Sequence, residues 1–559
     1  MDKTKKQNVW FLIGLLLVGL LLFWRCFYGV NTTDEAYYIG TVYRLWFGDG
    51  MLCDEWNPTQ QMCSFWLYPF YVIFRMILGS NDGMILAFRL LYIVFQLGIS
   101  CYLYTKLKKY GYKSFFAVFF YLLSTAFNIN SLSYNTMANG AFLALLVTLI
   151  TMEEPDWKNT IIAGLFASIL VMANPYTLFA YGLYGAASLI VTVICRKSEK
   201  EVPVSIRFAT FLKMSLTAAV VMAVFLTFTF WHATLERIMK NLPYIIGDQE
   251  HVHRLSDKFS SYFRYFRKYY LGCTVGSLIV AAVALVDKKR IDHGKVYVMA
   301  ALLFIFPYMI YRGLISDYVP INLVTIPISF LGLVAYIVTK EKNSRVFYIW
   351  YLPAMFYPVI VQITSNTGPL AVSAGFMTAG AASLFLAILW AEEQKLKSSK
   401  AVVYGVLIFQ IIIMLYLRTS YVWGDDVLSK LTVKVDRGPA KGLYTTEETA
   451  LYYEEMYDDI DMLNIKEEDG FLVIGSEPML YLYADVQVAS YSTWQVFTNE
   501  TRLYRYYEIH EGEERFPSVV YCAEADETIF ESVFVKKLLL PMGYEYRQLD
   551  HGIAFYTPR

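Results

Sequence analysis

Long apolar runs fill the first three quarters of the chain, and most close on a charged or aromatic cluster. The first, over 9–28, follows Lys3, Lys5 and Lys6 and is about 20 residues long, enough to cross about 30 Å of hydrocarbon. No small-residue cleavage site follows it, so it reads as an uncleaved first span rather than a signal peptide. Similar runs lie at 84–105, 114–128, 137–152, 159–173, 176–195, 209–232, 270–286, 296–315, 319–339, 345–364, 370–390 and 401–417, giving about 13 spans.

The segment 64–79 decides the topology. It is about 15 residues long, interrupted by Pro69 and carries Arg75, which is short for a crossing. Counting it as a span puts Lys106, Lys108, Lys109 and Lys113 and most later basic clusters outside, against the positive-inside rule. It therefore reads as an interfacial or re-entrant helix on the outer face. The N-terminus is then cytoplasmic, and loops 29–83 and 233–269 and everything past Arg418 lie outside.

Beyond Arg418 the pattern changes from long apolar runs to short alternating ones. FLVIGS (471–476) and SVVYCA (518–523) read as buried strands, 544–556 as a hairpin, and 447–463 and 527–540 as helices. The predicted architecture is an all-α polytopic membrane domain over 1–418 followed by an extracytoplasmic α/β domain over 419–559.

Composition narrows the function. Hydrophobic residues make up 57% and charged residues only 17% of the 559, which excludes disorder and a single soluble domain. Net charge is zero overall, but beyond Arg418 acidic residues outnumber basic ones about two to one, which fits an exported tail. No basic block sits on a soluble module, so nucleic acid is excluded as a partner. No repeat marks an inverted-topology transporter, and the tail's GSEP lacks a glycine fingerprint for a nucleotide; no cofactor is expected. The seven cysteines contain no CxxC; Cys53 and Cys63 share a loop and can pair if it faces an oxidising space.

The candidate chemistry begins at NTTDEAYYIGTVYRLWFGDG (31–50), just past the first span. Thr33 or Asp34 can cap a short helix running to about Phe47. Two roles are open to Asp34 and Glu35: a general base in a partly dry cleft with a raised pKa, or plain capping with Glu35 in water. Asp54 and Glu55 form a second acidic pair, placed to bind sugar hydroxyls or an acceptor, or simply to be solvated. Loop 233–269 carries many cations among aromatics, suited to a lipid phosphate or to bulk anionic headgroups; Arg254 and Arg264 are its candidate ligands. Arg312 closes a span, with Asp317 as a possible partner. His251 and His253 lack a third ligand, so no metal is assigned, and TSNTGP (364–369) is either a cavity-facing segment or a turn.

The Asp34-Glu35-Ala36-Tyr37-Tyr38 run directly after the first span, the Gly48–Gly50 turn, the amphipathic 64–79 helix and Arg89 opening the next span resemble the GT-C glycosyltransferases. The closest likeness is to protein O-mannosyltransferases and lipid A aminoarabinose transferases. It covers the architecture of nearly the whole chain, but their His/Lys-Pro-Pro motif is replaced by DEWNPTQQM (54–62). The resemblance implies an inverting transfer of a sugar from a polyprenyl-phosphate donor to an outer-face acceptor at the cell membrane. Asp34 then stands in the position of the catalytic base and Glu35 supports it. The alternatives are a transporter or flippase of lipid-linked saccharides, or a polysaccharide polymerase.

Overall fold

The computed structural model describes residues 3–31, 33–197, 202–246, 254–315, 321–364, 373–394, 397–420, 422–497, 501–511 and 515–557. Among these, ten helices are long and apolar enough to cross a bilayer; counting Leu255–Tyr269 with Leu271–Val286, bent by 91°, as one broken span makes eleven. The chain is a multi-pass membrane protein. Among the described residues each of the 13 expected segments is mainly helix, but Lys113–Leu123, Trp157–Ala173 and Val324–Val338 are shorter than a comfortable crossing. Such helices can pack inside a bundle, because neighbouring helices rather than lipid cover their sides. Tyr134–Thr151 and Ala374–Glu393 are almost wholly enclosed, whereas Thr4–Arg25, Thr177–Arg196 and Phe208–His232 show most of their surface outwards.

Four N-terminal helices frame the site: α1 (Lys3–Arg25), α2 (Asp34–Trp46), α3 (Pro58–Leu78) and α4 (Met84–Leu107). By length and composition α3 belongs to the ten candidate spans, whereas the sequence reading laid it along the surface. Both of its ends are tied to the C-terminal region. Near its start Gln61 donates to the Glu55 carbonyl at 2.6 Å, and Glu55 in turn accepts from the amide of Thr493. Near its end Arg75 pairs with Asp485, and Asn81 just beyond donates to the Leu482 carbonyl at 2.9 Å.

The C-terminal region is mixed α/β. Strands β1 (Val433–Lys434) and β2 (Tyr444–Thr445) form a small antiparallel pair. The main sheet uses β3 (Gly470–Ile474), β4 (Gln487–Val488), β5 (Val519–Ala523), β6 (Glu545–Gln548) and β7 (Gly552–Tyr556), in the order β4-β3-β5-β7-β6. β3 runs parallel to β4 and β5; β7 runs antiparallel to β5 and β6. The two apolar runs are thus the central parallel strands, as buried on both faces as such strands should be. The expected hairpin and the helix Glu447–Leu463 are present. The expected helix over 527–540 is not: a 3₁₀ turn at Glu527–Glu531 and a π turn at Val535–Leu539 flank a break. Ser532 is extended there, and Ile529 and Phe530 of the first turn pack against the same buried cluster that holds Val535 and Leu539 of the second.

The two halves are laced together. The Tyr444 amide donates to the Phe27 carbonyl and the Gly29 amide to the Tyr444 carbonyl, each at 2.7 Å. Gly29 has φ +85°, and a Cβ there would lie 2.1 Å from Val422, so only glycine fits. Arg25 donates to the carbonyls of Arg418 and Tyr28, and Arg418 to Gln96. Cys53 and Cys63 are both buried and not bridged to each other, so the disulfide left open by the sequence is not formed.

Candidate active site

Asp34 is the first residue of α2, but it does not cap it. The N-cap is Thr33, whose side chain makes no capping bond, and Asn31 Oδ1 instead accepts from the Glu35 amide at 3.0 Å. The Asn31 side-chain amide donates to the Trp423 carbonyl at 3.1 Å, which fixes the helix start against the chain leaving the last span. The Asp34 carboxyl is thereby free of a structural duty. Trp423 hydrogen-bonds to it, and Tyr38 and Tyr134 stand close enough to feel its charge. Burial raises its pKa above the ordinary aspartate value, and the bond from Trp423 offsets part of that rise. No cation stands against it among the described residues.

Glu35 differs in every respect. It is fully buried and forms a two-pronged pair with Arg89 of α4, Nε to Oε1 at 2.8 Å and Nη2 to Oε2 at 2.5 Å. The remaining Arg89 donors go to the carbonyls of Cys26, Tyr28 and Gly29. One guanidinium therefore ties α2, α4 and the end of α1 and sets where Asp34 points. Glu35 holds the site without reaching into it.

Asp54 and Glu55 are neither solvated nor turned to a cleft. Asp54 is completely buried, accepting from the Gly50 amide at 2.6 Å and from Arg237 at 2.9 Å; Arg515 stands at 3.2 Å and His510 Nε2 at 3.4 Å. Burial alone would raise its pKa, but His510, Arg515 and Arg237 hold it well below the usual carboxylate range. Glu55 pairs with Arg44 at 3.3 Å and accepts from the Thr493 amide at 3.2 Å; burial raises its pKa against these partners. Arg44 also binds Asp49 at 2.7 Å, and Asp49 pairs with Arg515. Next in line, the Trp56 amide donates to the Tyr491 carbonyl at 2.7 Å, and its indole lies on Tyr244. The Asp54-Glu55-Trp56 run is therefore a clasp that holds the 490–496 segment of the α/β region over α2.

Loop 233–269 is largely two helices, Leu235–Ile246 and Leu255–Tyr269. Arg254 precedes the second and Arg264 lies on it; both are exposed, and Arg264 reaches Ser260 at 3.5 Å. Arg312 is buried, its guanidinium 4.5 Å from the Tyr269 ring centre and 5.4 Å from that of Tyr270. The geometry thus joins Arg312 to the end of the Arg264 helix through a cation–π contact. Asp317, His251, His253 and residues 365–369 lie outside the described residues.

The sequence reading missed Trp423, Arg44, Asp49, His510, Arg515 and the Thr493–Trp494 segment. Trp423 sits in VWGDD directly after the last span, where an aromatic anchor is commonplace and carries no functional signal. Trp494 reaches the site only through the fold: its ring lies 5.9 Å from that of Tyr37, one turn along α2 from Asp34.

No protein-family model matches this chain, and no curated protein matches it in sequence. Two solved structures of an Archaeoglobus fulgidus oligosaccharyltransferase share a distant likeness. One, AglB in complex with an inhibitory peptide and a dolichol-phosphate, is 11% identical with a TM-score of 0.42, over 99% of this chain and 74% of that one. The other, tethered with an acceptor peptide containing the NVT sequon, is 11% identical with a TM-score of 0.43, over 98% and 74%. A likeness so distant carries no conclusion about the activity of this chain.

Proposed function

We propose that the protein is a membrane glycosyltransferase that moves a sugar from a polyprenyl-phosphate donor to an acceptor hydroxyl, with inversion and with Asp34 as the base. The observation that carries this reading is the Asp34 carboxyl: partly dry, raised in pKa, ringed by Trp423, Tyr38 and Tyr134, and released from capping by Asn31. A base with a raised pKa is better matched to taking a hydroxyl proton near neutrality than an ordinary aspartate. In the reaction the acceptor oxygen bonds to the anomeric carbon. The bond from that carbon to the phosphate oxygen breaks, its electron pair leaving on the lipid phosphate. The acceptor proton passes to Asp34 and from there to water. Base and leaving group must lie on opposite sides of the sugar. The leaving phosphate needs cations, and Arg254, Arg264 and Arg312 are the proposed source, Arg312 held by the Tyr269 and Tyr270 rings.

Incubating the purified protein with a panel of polyprenyl-phosphate sugars tests this directly. Release of free sugar and lipid phosphate from at least one donor is expected; no release from any donor overturns it. The pH dependence gives a second check. Only ionised Asp34 accepts a proton, so turnover falls as pH drops through its pKa, at a pH above that of an unperturbed aspartate. Trp423→Phe removes the bond that favours the ionised form, so that acid limb should move to higher pH.

The reading also requires the site to face outwards, with the N-terminus inside and the C-terminus outside. Single cysteines at Lys108 and Thr557 in a cysteine-free background check it. An impermeant reagent added outside is expected to label Thr557→Cys and not Lys108→Cys. Labelling at Lys108 means that α3 crosses the membrane.

A further inference from the structure

We infer that the acceptor is a neutral saccharide and that Thr493 and Trp494 of the α/β region bind it; this rests on the reading of Asp34 as base. Thr493 is almost fully buried, and its hydroxyl oxygen would lie 3.0 Å from a Cβ at Gly40, so the segment rests directly on α2. A larger residue at position 40 would have to push it away. The Thr493 hydroxyl and the indole N–H of Trp494 are both buried and have no hydrogen-bond partner among the described residues. The same is true of the side-chain N–H₂ of Gln60 on α3, whose oxygen accepts from the Tyr134 amide at 2.9 Å. Buried polar groups of folded proteins are nearly always paired, because an unmade bond costs free energy. Three unpaired neutral groups beside the aromatic ring set of Asp34 are accounted for by a ligand that supplies their partners.

The chemistry of the ligand follows from what lines the place. Trp494, Tyr37, Tyr38, Tyr134 and Trp423 form one aromatic cluster there, and aromatic rings suit the C–H faces of a sugar ring. Thr493, Trp494 and Gln60 offer neutral bonds to its hydroxyls. The charged groups around them are spent on one another: Glu35 on Arg89, Glu55 on Arg44, Asp54 on Arg237 and Arg515. Among the described residues, an anionic or cationic acceptor would find no countercharge there except Asp34. The position favours acceptor over donor, because groups beside the base face the attacking oxygen, while the leaving phosphate departs on the far side. Glu55 is a positioning residue in this scheme, since it holds the Thr493 amide.

The test uses the full chain in nanodiscs, with chitotetraose and maltotetraose as neutral saccharide probes and a threonine-containing octapeptide as the rival. Binding is followed by saturation-transfer NMR on the probe, so that turnover is not required. At least one saccharide is expected to bind wild type and Asp34→Asn alike, and to bind Trp494→Phe about 5–10-fold more weakly, the loss of one hydrogen bond with the ring retained. In turnover, Trp494→Phe should raise KM for the saccharide acceptor more than it lowers kcat, a split that a merely structural loss would not give. Binding of the peptide alone, or equal binding by wild type and Trp494→Phe, overturns the inference. No saccharide binding with donor hydrolysis intact overturns it too, but leaves the proposed function standing. Saccharide binding without hydrolysis of any donor removes the proposed function and with it the assignment of the saccharide as acceptor, leaving only a saccharide site at Thr493 and Trp494.

Discussion

Asp34→Asn is expected to fold, bind donor and lose at least about 10²-fold in transfer, the usual contribution of a positioned general base. Asparagine keeps the size of the side chain and can still accept from Trp423, but it cannot take the acceptor proton. Stability should not suffer. The raised pKa of Asp34 means that the folded state binds its proton more tightly than the unfolded chain. Its contribution to stability is therefore lost, not gained, as pH rises from the unfolded to the folded pKa. Replacing it by a neutral residue removes that cost. The measurement is transfer rate and melting temperature on the same preparation, between pH 5 and 8. Normal transfer by Asp34→Asn sinks the assignment of the base. Loss of folding would show a structural role, which the Asn31 cap and the absence of a countercharge argue against.

Glu35→Gln is expected to do the reverse: a large loss of stability, with activity falling only as folded protein falls. The substitution leaves the Arg89 guanidinium, about 2% exposed, without its carboxylate. Breaking a buried pair from one side typically costs ~3–5 kcal/mol, because a charge remains desolvated and unpaired. Expression and melting temperature should drop together. Arg89→Lys should sit between, since an ammonium keeps the charge but cannot make the fork to Glu35 and reach three carbonyls. Activity per folded molecule is the discriminating quantity. A Glu35→Gln enzyme that melts like wild type but transfers poorly would mean that Glu35 takes part in the chemistry.

These opposite expectations for neighbouring residues mark the limit of what a sequence reveals. Asp34 and Glu35 are equally acidic and adjacent, and no local pattern says which is spent on structure. The 100° step between successive helical residues turns one toward Trp423 and the other toward Arg89, which is 54 positions away in the chain. Asp54 and Glu55 repeat the lesson: a surface-looking acidic pair becomes a buried clasp because the fold brings Arg515 and the Thr493 amide to it.

The sequence by itself determined the helical segments of the membrane part, the two central strands and the hairpin of the α/β region, and the place of the acidic pair after α1. Each follows from local causes: apolar runs long enough to leave water, alternation matched to a pleated sheet, and polarity at a span boundary. It also suggested, through Pro69, Arg75 and the distribution of lysines, that α3 lies along the outer surface, a placement that labelling at Lys108 tests. Only the tertiary structure decided which carboxylates are neutralised and which is left poised, that the helix at 527–540 breaks, and that Thr493 and Trp494 reach the site. Hydropathy records that a group leaves water, not what it is buried against. A buried charge or hydrogen-bonding group is settled by whichever partner folding delivers, often from several hundred residues away, and that pairing is written in three dimensions.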